Sequence, residues 1–225
     1  MLALAGGEVL EVRGSTSAGT FRAYRGLPGA VHGMIAWPNT VLLTGPEPIV
    51  VDPGYQTQGD MLAGALATRG LAPDDVRTVL MTHMHKDHLS ALPQLGPVEL
   101  VVHELELDTP HAREQRGLLD DVRVTRLTGD GGEVRPGIRW VHTPGHTPGH
   151  VAYAVDTADT GRVVVAGDTL GPDPAWFAGM DLPEGFPDRA AHLAAFVRIR
   201  ELDPDVVVPG HNPPVVLAPG KVPGL

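Results

Sequence analysis

Residues 82–88 read T-H-M-H-K-D-H. Four ligand-type side chains, His83, His85, Asp87 and His88, fall within six consecutive positions. No regular element spreads a set that dense over one face. It needs a partner that neutralises and holds it, and a metal ion is such a partner. The chain contains no cysteine, so thiolate ligands, cysteine nucleophiles and disulfides are excluded. Any metal is held by nitrogen and oxygen donors, which suit zinc and are compatible with iron or manganese.

Further candidates lie at 142–150, 167–170 and 209–212, which read HTPGHTPGH, GDTL and PGHN. Each segment is rich in glycine or proline, where the backbone bends and aims a side chain. Residues 76–81 form a buried-type strand that runs straight into the histidine cluster. Residues 162–166 and 206–208 are strands that end at Asp168 and His211. Strands are also expected at 9–13, 31–37, 41–44, 49–51, 98–102, 122–127, 138–142 and 151–155, with a turn at 129–132. Helices are expected over 58–69, with Met61, Leu62, Ala65 and Leu66 on one stripe and Gly70 as the stop. A second is expected over 190–202, with Leu193, Phe196 and Val197 inward, and 103–120 is expected to be partly helical. Strands flanked by helices in each half predict an α/β fold, a four-layer αββα sandwich of two mixed sheets. The 225 residues suit a single domain, 1–225.

The net charge of −10 disfavours nucleic acid as a partner without excluding a small local site. A convincing signal peptide and a membrane-length apolar run are absent, so no membrane partner and a cytoplasmic location are expected. The sequence is silent on oligomeric state.

The four segments, in this order, resemble the signature of the metallo-β-lactamase-fold hydrolase superfamily, and the likeness spans about residue 30 to the end. The resemblance implies two divalent metal ions. His83, His85 and His146 correspond to the ligands of one, and Asp87, His88 and His211 to those of the other. Asp168 corresponds to a bridging carboxylate. It further implies a metal-dependent hydrolase in which metal-bound hydroxide attacks an ester, lactone or thioester of a small molecule. Asp87 is the candidate catalytic proton acceptor. Asp52, His142 and His150 are candidates for support behind the ligands, although a plain structural hydrogen bond is favoured for the two histidines. Residues 170–187 hold Trp176, Phe177 and Met180, which form either a substrate wall or an ordinary packed loop.

Departures from subfamilies narrow the substrate. Asp168 counts against β-lactam hydrolysis. Thr169, Leu170 and Gly171 follow it where acyl-homoserine lactonases usually carry a tyrosine. Asn212, Pro213 and Pro214 replace the basic residues by which glyoxalase II binds glutathione. Residues 205–216 are similar to the tail of small proteins of the superfamily linked to histone pre-messenger-RNA cleavage. The alternatives are therefore a phosphodiesterase or nuclease on the same centre, and a mononuclear iron enzyme of the persulfide dioxygenase kind.

Overall fold

The computed structural model describes residues 9–13, 20–24, 38–44, 47–56, 59–120, 122–157, 161–170, 174–211 and 214–217. One sheet has seven strands in sequence order: β1 (Val9–Arg13), β2 (Thr20–Tyr24), β3 (Thr40–Thr44), β4 (Ile49–Val51), β5 (Thr78–Leu80), β6 (Glu99–His103) and β7 (Arg123–Leu127). The pairs from β1 to β4 are antiparallel, and those from β4 to β7 are parallel. The second sheet contains β8 (Gly131–Arg135), β9 (Ile138–His142), β10 (Val151–Thr157), β11 (Gly161–Gly167), β12 (Val206–Pro209) and β13 (Val215–Val216). Its order is β13-β12-β11-β10-β9-β8, and only β11 and β12 run parallel.

Side-chain alternation along the strands builds three apolar layers. Val41, Leu43, Leu80 and Val101 meet Tyr153, Val155, Val165 and Val208 between the sheets. Leu42, Val50, Val79 and Leu100 face the other way, against Leu62 and Leu66 of α1 (Gly59–Ala67). Ala152, Ala154, Val164 and Val207 pack against Phe177 of α4 (Pro174–Gly179) and Phe196 and Ile199 of α5 (Arg189–Glu201). Central strands buried on both faces explain the near-continuous valine and leucine runs. The architecture is the expected αββα sandwich.

Several local expectations are revised. The expected strand 31–37 and the side chain of Met61 lie outside the described residues. Gly131 and Gly132 belong to β8, so the turn is shorter than expected. A Cβ there would approach Trp140 to 3.0 and 3.2 Å, a contact that favours glycine within a strand. Val197 is 46% exposed and not inward. Helical rotation carries it off the face that buries Phe196 and Ile199. The strands β2, β8 and β13 were not foreseen. Among the described residues, no helix is long and apolar enough to cross a membrane.

Tyr153 ties the sheets together below the histidine cluster. Its buried hydroxyl donates to the Met81 carbonyl, 2.9 Å away. Burial and nearby Asp52 push its ionisation well above the ordinary range, so it stays a donor. Replacing Tyr153 with Phe is expected to cost about 1 kcal/mol in urea unfolding. An unchanged midpoint would show that this bond contributes nothing.

Candidate metal centre

The C-terminal ends of β5, β11 and β12, with the β9–β10 turn, converge on one rim of the sandwich. β5 feeds through Met81 and Thr82 into His83 and His85, and α2 (Lys86–Leu89) carries Asp87 and His88. The β9–β10 turn presents His146. Because β11 and β12 pair in parallel, Asp168 and His211 emerge side by side. The Gly210 amide donates to the Gly167 carbonyl at 2.8 Å, and a Cβ on Gly210 would overlap Asp168 Oδ1 at 1.7 Å. Only glycine permits that approach.

Asp168 lies at the centre. Its Oδ2 is 3.3 Å from His146 Nε2, 3.3 Å from His211 Nε2 and 3.9 Å from His83 Nε2. Its Oδ1 is 3.3 Å from His88 Nε2. Asp87 Oδ2 is 3.2 Å from His211 Nε2 and 3.8 Å from His88 Nε2. Two groups could each hold a metal ion: His83, His85, His146 and Asp168, and Asp87, His88 and His211. The structure thus brings all seven candidate ligands together.

Asp52 shares a further such group with His83 and His88, but its hydrogen bonds argue for bracing. It sits after β4 in a left-handed backbone conformation, φ 50°. Oδ1 accepts from the Thr82 amide at 2.8 Å, and Oδ2 accepts from Thr82 Oγ1 at 2.6 Å and His88 Nδ1 at 2.9 Å. Thr82 Oγ1, having donated its proton, accepts from His83 Nδ1 at 3.0 Å. Protonation on Nδ1 leaves Nε2 of both rings facing Asp168.

His150 is fully buried and stacks on His83 with centroids 5.1 Å apart. Its Nδ1 lies 2.9 Å from Thr143 Oγ1 and 3.0 Å from Thr169 Oγ1. His142 points away from the cluster: Nε2 donates to the Pro148 carbonyl at 2.8 Å, and the ring stacks on His103. Glu106 went unremarked in the sequence. Completely buried, its carboxylate accepts from the Met84 and Gly149 amides at 2.9 and 2.8 Å, joining the two histidine loops. Only its acidity next to an apolar strand could have marked it. His111, given no role from sequence, lies against His85 with ring centroids 4.2 Å apart.

Of the two readings of residues 170–187, substrate wall or packed loop, Phe177 fits the second. Phe177 is fully buried against Phe196, and Trp176 and Met180 pack on the same apolar layer. α4 turns Phe177 onto the sheet and leaves Trp176 and Met180 partly buried.

The electrostatics divide by position. Burial holds His83 well below its ordinary value, with the charge of His88 adding to the effect. Burial, then His146 and His111, lowers His85 to about 4. His88 and His211 go the other way against an opposing burial effect. Asp168 and Asp52 raise His88 well above its usual value, and Asp168 and Asp87 raise His211 to about 9. Burial works against Asp168 ionising, but the surrounding histidines hold its carboxyl well below the usual range. The donor chemistry fits a divalent metal. His83 Nε2, His88 Nε2 and Asp168 Oδ1 are buried without a hydrogen-bond partner. His85 Nδ1 and His146 Nε2 approach to 2.9 Å although burial disfavours a proton on either ring.

Two mixed sheets between helices, with imidazoles and carboxylates gathered at the strand ends, define a metallo-hydrolase of the αββα class. Residues 38–211 match the family model of the metallo-beta-lactamase superfamily, and the chain belongs to that superfamily. It is 39% identical over 173 residues to human metallo-beta-lactamase domain-containing protein 1, covering 74% of this chain and 59% of the human protein's length. It is 27% identical over 167 residues to N-acyl homoserine lactonase of Bacillus thuringiensis, covering 69% of this chain and 64% of that protein. A solved N-acyl homoserine lactone hydrolase, with the product N-hexanoyl-L-homoserine at its catalytic metal centre, shares the fold. Its TM-score is 0.65 at 21% identity, over 92% of this chain and 90% of that one.

Two outcomes are expected. Asp52→Asn removes the charge that orients His88 and leaves one neighbour short of an acceptor. Metal affinity, measured by chelator competition, should fall about 10- to 100-fold. Unaltered affinity would mean that Asp52 does not position the ring. The second concerns pH. His211, with a value near 9 in the metal-free protein, carries a proton at neutral pH, and a metal that takes this nitrogen must displace it. Affinity should therefore rise with pH and level off above about 9, with at least one proton released near pH 7. Calorimetry in buffers of different ionisation enthalpy measures that release, and zero uptake or release contradicts the assignment.

Proposed function

We propose that this protein, one metallo-β-lactamase-like domain over residues 1–225, hydrolyses a small-molecule ester, lactone or thioester with two divalent ions. The observation that supports it best is the position of Asp168. One carboxylate stands within 3.3 Å of imidazole nitrogens from both groups of candidate ligands. In this reading His83, His85 and His146 would hold one ion, Asp87, His88 and His211 would hold the other, and Asp168 would serve both. The ions, zinc in the first instance and otherwise iron or manganese, would supply Lewis acidity and hydroxide at neutral pH when bound.

The chain's own groups supply the rest. Asp87 is held ionised, because His211 and His88 outweigh the burial that opposes it, and its side chain is 33% accessible. It is placed to accept a proton from an attacking water. Asp52 and Thr82 fix the two buried rings, and Glu106 fixes the loops that carry the histidines. The similarity to N-acyl homoserine lactonase supports acyl chemistry. Thr169 turns inward onto His150 and Leu170 is fully buried, so a usual lactonase feature after the aspartate is missing here. The substrate class is accordingly kept at acyl compounds. The net charge of −10 supports a small molecule over nucleic acid. The proposed location is the cytoplasm, which cell fractionation checks.

The decisive experiment pairs metal analysis of the protein, purified without added metal, with a panel of ester, lactone, thioester and bis-phosphate substrates. Two metals per chain and turnover of acyl substrates are expected. Turnover of the bis-phosphate alone would make the protein a phosphodiesterase. One iron with oxygen consumption would make it an oxidoreductase. Asp168→Asn should lose metal and more than about a hundredfold in kcat/KM. Unchanged metal content and turnover would sink the proposal.

A further inference from the structure

A cavity of about 370 Å³ opens beside the metal centre, with His85 and His146 among its lining residues. That volume lies within the range of small-molecule sites. Leu105, Pro110 and Pro148 give it apolar walls, and Leu105 is 49% exposed, an uncommon state for a leucine among the described residues. The walls are fixed. Proline restricts two of them, and Thr109 between them donates to the Glu106 carbonyl at 2.8 Å and accepts from the Ala112 amide at 3.2 Å. Among its lining residues, Thr147 is 94% buried by its 6% exposure, and its hydroxyl has no hydrogen-bond partner. His111 contributes an imidazole next to His85. Asp108 adds a carboxylate, which disfavours an anionic occupant such as phosphate or a free acid.

We propose that this cavity receives the uncharged apolar acyl group of the substrate, with Leu105 setting the preferred chain and Thr147 and His111 positioning it. The proposal rests on the hydrolase reading above and narrows it to acyl esters, thioesters and N-acyl lactones. It also moves substrate selection from residues 170–187, where Phe177 is core, to residues 105–111. In the reaction water adds OH to the carbonyl carbon of the ester, thioester or lactone ring, the bond from that carbon to oxygen or sulfur breaks, and the leaving oxygen or sulfur, which stays tethered in a lactone, takes the remaining proton. The acyl chain lies over the His85 and His146 side, so the carbonyl carbon under attack, the chain's own in an ester or thioester and the ring's in an N-acyl lactone, stands at the rim of the centre.

The test uses zinc-loaded protein and p-nitrophenyl acetate, butyrate, hexanoate and decanoate, with N-acetyl and N-hexanoyl homoserine lactone alongside. The hexanoyl-to-acetyl ratio of kcat/KM should be at least about tenfold in the native protein. Leu105→Trp, which fills the cavity, and Leu105→Ser, which removes a wall, should each lower that ratio about fivefold or more. Leu105 is half exposed, so both variants should fold. Thr147→Val should raise KM more than it lowers kcat. Calorimetry with the uncharged amides hexanamide and acetamide gives a readout independent of turnover: hexanamide should bind more tightly to the native protein, and Leu105→Trp should abolish the difference. Hydrolysis without chain preference, or a ratio unmoved by both Leu105 variants, overturns the cavity assignment and leaves the hydrolase. A ratio moved by Trp176→Ala and not at Leu105 also overturns it. Hydrolysis of none of these compounds overturns both.

Discussion

The arrangement depends on placing charge where a hydrophobic sandwich has little water to solvate it. Five imidazoles and the carboxylates of Asp87 and Asp168 share one rim. Asp168 and His88 are buried; Asp168 and Asp52 hold His88 in its charged form, and His88, His211 and His83 hold Asp168 in its own. Removing one partner would strand the other, which makes the cluster interdependent. Some nitrogens still lack partners, so the apo arrangement is preorganised for a cation and incompletely satisfied without one.

Preorganisation comes from backbone as much as from side chains. The parallel pairing of β11 with β12 sets Asp168 beside His211, and Gly210 lets the carboxylate approach. Gly167 turns at φ 49°, where a Cβ would lie 2.6 Å from Thr82 Oγ1 and 2.8 Å from His150 Nε2. The Thr82 hydroxyl and the buried Asp52 carboxylate then fix the rings of His83 and His88. Thr82 relays Asp52 to His83, and Glu106 clamps both histidine loops through amide hydrogens. A ring held at Nδ1 presents Nε2 with little rotational freedom, which lowers the entropy lost when a ligand binds.

The candidate ligands were legible in sequence because they are dense, polar and separated by glycine and proline. The layers were legible because buried strands write themselves as valine and leucine runs. What escaped notice has no local mark. Glu106 resembles any surface acid until the fold brings two loops to it. The strand character of Gly131 and Gly132 depends on Trp140, distant by a hairpin. Val197 looks apolar enough to be inward, and only the rotation of α5 settles its exposure. Residues 170–187 carry an aromatic-rich composition that fits a substrate wall or a core segment equally well, and packing against Phe196 decides for core at Phe177.

That last result separates two demands on the rim. The candidate metal ligands are shared with the core and sit on loops at strand ends braced by buried acids. Selection among substrates needs surface that can vary without disturbing them. Residues 105–111 meet that need, because they are short turns capped locally by Thr109, with Leu105 and His111 exposed while Glu106 anchors the segment from within. A side chain at 105 can change size with no effect on the hydrogen bonds of Glu106. Under the proposed function, the fold keeps the candidate metal ligands on one set of loops and the surface for choice on an adjoining one.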